Sequence, residues 1–88
     1  MNYTVGQVVY SKAGRDAGKK FVIVKIPDEL FVFISDGDLR KIEKPKRKKT
    51  KHLLITEEIV KPLNDKIVNK IKITNSEVRR ALDGTHEE

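Results

Sequence analysis

Residues 11–26 read SKAGRDAGKKFVIVKI. A polar loop, Gly14 to Lys20, runs directly into an almost wholly apolar segment, Phe21 to Ile26. The β-branched and aromatic residues of that segment are strand chemistry. The glycines at 14 and 18 supply positive φ and remove the Cβ atoms that would keep a ligand away from the backbone. The loop therefore stands on a rigid strand, where it can offer backbone amides and the cations Lys12, Arg15, Lys19 and Lys20 to phosphates. Asp16 interrupts the positive field and is placed to pair with Arg15 or Lys19. An exposed pair of this kind adds about 0–1 kcal/mol.

The spelling from Gly14 to Lys19, G-x-x-x-G-K, approaches the phosphate loop of nucleotide hydrolases, but three features exclude it. That loop has four residues between its glycines, a Ser or Thr after the lysine, and a helix to follow. Here there are three residues, Lys20 replaces the hydroxyl, and a strand follows.

On either side of this stretch, short apolar runs alternate with turn signals. Val5 to Tyr10 reads as a first strand and Phe21 to Ile26 as a second. The Pro27-Asp28-Glu29 turn leads to a third, Phe31 to Ile34. Asp36-Gly37 supplies a tight hairpin turn, and Leu39 to Ile42 follows as a short fourth strand. Pro45 interrupts any regular element in the basic segment, and His52 to Thr56 is a fifth strand. This pattern predicts a mainly β domain, a small barrel or sandwich, and closing the sheet would protect its edges.

The last third changes period. Leu63, Ile67 and Ile71 recur every four residues behind Pro62, which predicts a helix, although Ile71 and Ile73 alternate and leave its end open. Thr74 and Glu77 form a capping box ahead of Val78, Ala81 and Leu82, with Gly84 as the stop. The expected organisation is a barrel over 1–56, a helical segment of the same domain over 57–84, and a frayed tail over 85–88.

Eighty-eight residues make one domain with a thin core, burying only about 60% of its unfolded surface. There is no cysteine, which suits a reducing compartment. No run approaches a membrane span, and MNYTVGQVVY lacks a signal pattern, so a cytoplasmic protein is expected. His52 and His86 stand far apart with no cysteine, so no metal or cofactor is expected. No nucleophile–base grouping or carboxylate pair is evident, and the chain is not expected to be an enzyme.

Charge is strongly clustered. Residues 40–51, RKIEKPKRKKTK, carry Arg40, Lys41, Lys44, Lys46, Arg47, Lys48, Lys49 and Lys51 against Glu43 alone. This local charge of +7 sits in a chain whose total is +6. Such a run is either a solvated loop that aids solubility or the footprint of a polyanion. Arg15 and Arg47 carry most weight, because guanidinium binds phosphate with two donors and stacks on bases. His52 adjoins the run and joins the candidate contacts. Phe31 and Phe33 lie in a continuous apolar run and are expected in the core; Tyr3 and Tyr10 are evenly balanced between packing and base stacking.

The first half resembles a KOW motif. The matching pieces are Val5-Gly6-Gln7-Val8-Val9, then Ala13 to Lys20 with Gly18 at the hallmark glycine position, then Phe21 to Lys25. The spelling AGRDAGKKFVIVK is similar to the archaeal and eukaryotic large-subunit ribosomal proteins of the fourteen-e, six-e and twenty-seven-e group. Asp36-Gly37 and the basic run before His52-Leu53-Leu54-Ile55-Thr56 resemble theirs as well. The resemblance spans about residues 4–56. The compact tail departs from their basic extensions and is closer to the short bacterial KOW proteins. The resemblance implies an SH3-like barrel that contacts RNA, ribosomal RNA or the ribosome first among candidates. The alternative is an SH3-like module that docks an acidic protein, as in transcription factors of the NusG type. Attraction of the polybasic segment to anionic membranes ranks last, with no lipid anchor or basic amphipathic helix to support it.

Overall fold

The computed structural model describes residues 2–84, so the tail expectation for 85–88 lies outside the described residues. Five strands and two helices are present: β1 Gln7–Ser11, β2 Lys20–Lys25, β3 Phe31–Ser35, β4 Lys46–Lys49, β5 Leu53–Ile59, α1 Lys61–Val68 and α2 Asn75–Gly84. A 3-10 turn, Thr50–His52, separates β4 from β5. All strand pairs are antiparallel, in the order β4-β3-β2-β1-β5. The mainly β architecture with two appended helices agrees with the sequence. The closed ladder does not: among the described residues the sheet ends at β4 on one side and β5 on the other, and no pairing joins them.

Strand alternation divides the core into two clusters. Val9, Phe21, Ile23, Val32, Ile34 and Leu53 form one, with Tyr3, Val5, Ile26 and Ile55 against it. No helix contributes to this cluster, so its burial comes from the curl of the sheet and from the N-terminal segment. Register shifts in the β1–β5 and β2–β3 pairs mark places where such curvature is introduced. On the opposite face, Val8 and Val22 pack with Leu63 of α1, Ile73, and Val78 and Leu82 of α2.

The helices start as the sequence predicts. Pro62 lies in the first turn of α1. In the capping box, the Glu77 N–H donates to Thr74 Oγ1 at 3.1 Å and the Thr74 N–H to Glu77 Oε1 at 2.8 Å. Lys66 of α1 also pairs with Glu77. That hydrogen bond, with the Thr74 amide, holds the Glu77 carboxyl below the usual carboxylate range. Ile71 falls beyond α1 and is exposed, so the four-residue repeat outruns its helix.

Two expectations between β3 and β5 are overturned. Leu39 to Ile42 is not a strand but part of a closed polar loop. Asp36 Oδ1 accepts the N–H groups of Asp38 and Arg40, each at 2.9 Å, and the Arg40 carbonyl accepts from Ser35 Oγ and the amides of Asp36 and Gly37. With these groups bonded locally, no ladder is needed. Conversely, the basic run is not proline-broken. Pro45 stands just before β4, where its missing N–H costs no ladder bond, and KRKK pairs along the edge of β3. β5 also outlasts the expected His52 to Thr56, reaching Ile59, while His52 belongs to the turn before it.

Candidate nucleic-acid interface

The glycine loop is built from its own hydrogen bonds. Ser11 and Lys19 close its base, with the Ser11 N–H donating to the Lys19 carbonyl at 3.0 Å. The Gly18 N–H donates to the Ser11 carbonyl at 2.8 Å, Ala17 to Gly14 at 3.2 Å, and Lys19 to Asp16 at 2.9 Å. Gly14 and Gly18 have φ of 79° and 83°, so both sit where the turn requires positive φ. The amides of Ala17, Gly18 and Lys19 are therefore committed inside the loop. The expected amide cradle does not form at those positions, and the loop presents side chains instead. Lys12, Arg15 and Lys19 are exposed and make no side-chain hydrogen bond or ion pair among the described residues.

Asp16 corrects the expected pairing. It is 5% exposed, and its carboxylate pairs with neither Arg15 nor Lys19. Its Oδ2 accepts from Arg40 Nη2 at 2.9 Å and from Arg40 Nε at 3.2 Å. Arg40 thus acts structurally, fastening the 36–45 loop to the glycine loop. Two more predicted RNA contacts are also engaged within the fold. Lys20 Nζ donates to the Leu82 carbonyl at 3.1 Å, tying β2 to α2, and Lys48 Nζ donates to the Ala13 carbonyl at 3.0 Å.

We expect Asp16→Asn to weaken the fold by about 2 kcal/mol, since it removes the acceptor charge from a pair whose carboxylate is buried. A urea titration checks this. A loss below a few tenths of a kcal/mol would show that Arg40 is held by solvent rather than by Asp16.

These ties join the 36–45 loop, β4 and the turn before β5 to the glycine loop. Lys48 and Arg40 meet the glycine loop, and the Lys12 N–H donates to the His52 carbonyl at 2.8 Å. Arg40, Lys41, Lys44, Lys46 and Arg47 line a hollow of about 600 Å³, with Asp38 the single acidic residue on its wall. Glu43 is directed elsewhere: Asn75 of α2 donates to it and holds its carboxyl below the usual range. Asn75 also accepts from the Ile42 N–H at 2.9 Å, while Arg79 donates to the Gly37 carbonyl at 2.6 Å. Helix α2 therefore clamps the loop that carries Arg40 and Lys41.

β4 sorts its cations by face. Phe31 pairs with Lys49, Val32 with Lys48, Phe33 with Arg47 and Ile34 with Lys46. Lys46 and Lys48 are half-buried beside the core residues, while Arg47 and Lys49 are exposed. Phe31 and Phe33 share this outer face and belong to neither core cluster, contrary to their expected core placement. The Arg47 guanidinium lies 3.6 Å from the centre of the Phe31 ring, and Lys25 Nζ lies 5.9 Å from that of Phe33. The alternation in FVFIS is the signal for this: period two separates both phenylalanines from Val32 and Ile34. Of the tyrosines, Tyr3 packs against the first cluster and donates its hydroxyl to the Glu29 carbonyl, and Tyr10 is half-buried on β1. Lys51 is exposed in the 3-10 turn beside half-buried His52.

No family model matches the chain. Among the described residues, no three His, Asp or Glu side chains converge as a metal site would require, and no helix is long and apolar enough to cross a membrane.

Proposed function

We propose that this chain is a KOW-type RNA-binding module, with its curled sheet corresponding to the SH3-like barrel of that family. It holds structured RNA, ribosomal RNA first among candidates, through phosphate contacts. The observation that carries this reading is the convergence of Arg40, Lys41, Lys44, Lys46 and Arg47 around one hollow, fastened to the glycine loop by Arg40–Asp16 and Lys48–Ala13. A solvated charge run needs no such scaffold. Here the strand register, a buried carboxylate and a helix hold like charges together, an arrangement that a polyanion relieves. Phosphates bridging the hollow and the loop would meet Lys41, Lys44, Lys46 and Arg47 on one side and Lys12, Arg15 and Lys19 on the other.

Positioned charges of this sort orient a nucleic acid without reading its bases. The proposed role is therefore binding, not catalysis, and needs no cofactor. UV crosslinking in cells followed by sequencing of the attached RNA tests it. Enrichment of ribosomal RNA is the expected result. Recovery of no RNA above background, with saturable capture of an acidic protein instead, would overturn it.

A further inference from the structure

At the other end of β4 from the basic hollow, the outer face holds a second depression of about 320 Å³, lined by Leu30, Phe31, Lys49, Thr50 and Lys51. Leu30 and Phe31 make its apolar part. Leu30 is 69% exposed, yet its backbone is pinned. Asp28 Oδ1 accepts the N–H groups of Leu30 and Phe31 at 2.9 and 3.0 Å, and the Thr50 N–H donates to the Leu30 carbonyl at 2.9 Å. A leucine whose backbone is fixed beside an aromatic ring presents an apolar surface at a smaller entropy loss than a mobile segment would bring.

The rim is cationic. Lys49 and Lys51 are exposed, and the Arg47 guanidinium lies over the Phe31 ring. None of the three makes an ion pair among the described residues, and no lining residue is acidic. A nucleotide combines a flat apolar plane with an adjoining anion in a single unit, and its chain repeats that unit along a strand. Stacked guanidinium and aromatic planes are the usual platform for bases out of the helix. A base inside a duplex cannot reach the floor, because its faces are covered by its neighbours. The two depressions adjoin along β4: Arg47 lines the hollow, and its guanidinium lies 3.6 Å from the centre of the Phe31 ring that lines the second.

Resting on the RNA-binding reading above, we infer that the Leu30–Phe31 depression receives an unpaired base of single-stranded RNA, with Lys49 and Lys51 on its flanking phosphates. The strand of RNA then runs along β4, phosphates in the basic hollow at one end and a base seated at the other.

The test compares affinity for a single-stranded RNA oligonucleotide and for a blunt RNA duplex of the same sequence, using the wild-type chain, Leu30→Ser and Phe31→Leu. Leu30 is a surface residue, so Leu30→Ser keeps the fold even if the strand substitution does not; a thermal melt verifies each. Both variants are expected to lose about tenfold in single-strand affinity, the lower part of the range for one stacked base, and less than twofold for duplex. Equal losses on the two RNAs, or no loss on either, would overturn the inference. So would Leu30-dependent binding of polyglutamate without preference for single strands, which would assign the depression to a protein. If the wild-type chain binds neither RNA, the parent reading fails and this inference falls with it.

Discussion

Replacing Gly37 by alanine will lower the stability of this domain by about 3 kcal/mol, combining backbone strain with overpacking. Gly37 has φ of 75°, a conformation that L side chains rarely adopt. An alanine Cβ would also lie 2.4 Å from the Asn75 carbonyl oxygen and 3.1 Å from Arg79 Cγ. The backbone of α2 cannot yield without losing the Asn75–Ile42 and Arg79–Gly37 hydrogen bonds, so strain at one turn spreads to the clamp that holds the basic loop. In a domain this small the melting temperature should fall on the order of 15 °C. Gly18→Ala is the control. Its φ is 83°, but nothing lies within 4 Å of the added Cβ, so only the strain, about 1 kcal/mol, is expected. Equal losses at the two positions would show that the contact with α2 is unimportant.

A second large effect is expected on affinity rather than stability. Changing Lys41, Lys44, Lys46 and Arg47 together to glutamine should reduce single-stranded RNA binding by about 10²–10³-fold at 0.1 M salt, taking about 0.7 of salt slope per contact and extrapolating to 1 M. The melting temperature should move only a few degrees. Loss of the Arg47–Phe31 stack costs about 0.5–1 kcal/mol, and relief of repulsion among the lysines offsets part of it. Filter binding and a thermal melt on the same preparation separate the two readouts. Affinity within threefold of wild type would remove the basic hollow from the binding surface.

What the sequence made legible follows from the range of each signal. β1, β2, β3 and β5 carry apolar residues at strand spacing, and α2 announces itself through Thr74 and Glu77, so these elements were readable locally. β4 was not: KRKK has no hydrophobic alternation, and it becomes a strand because the outer edge of β3 offers unpaired N–H and C=O groups. The expected strand at 39–42 failed because Asp36 and Ser35 satisfy that backbone first, a competition that short polar side chains often win.

The candidate site divides the same way. The clustered cations could be read from the chain, but their duties could not. Arg40 reaches across 24 positions to Asp16, Lys48 across 35 to Ala13 and Lys20 across 62 to Leu82, and no local pattern foretells such contacts. Gln7 belongs to the same class. It is buried on β1, where it accepts from the Thr4 N–H and donates to the Thr56 carbonyl. The outward position of Phe31 and Phe33, by contrast, was present in the two-residue alternation of β3.

A held cluster of cations that binds the phosphates of RNA is the centre of the proposed function. The direct measurement is the affinity of the wild-type chain for a single-stranded RNA oligonucleotide at a series of salt concentrations. With Lys41, Lys44, Lys46 and Arg47 of the hollow and Lys12, Arg15 and Lys19 of the glycine loop on phosphates, at about 0.7 per contact for a single strand, the logarithm of affinity should fall against the logarithm of salt with a slope of about −5. A slope near zero, with binding unchanged between low and physiological salt, would contradict it.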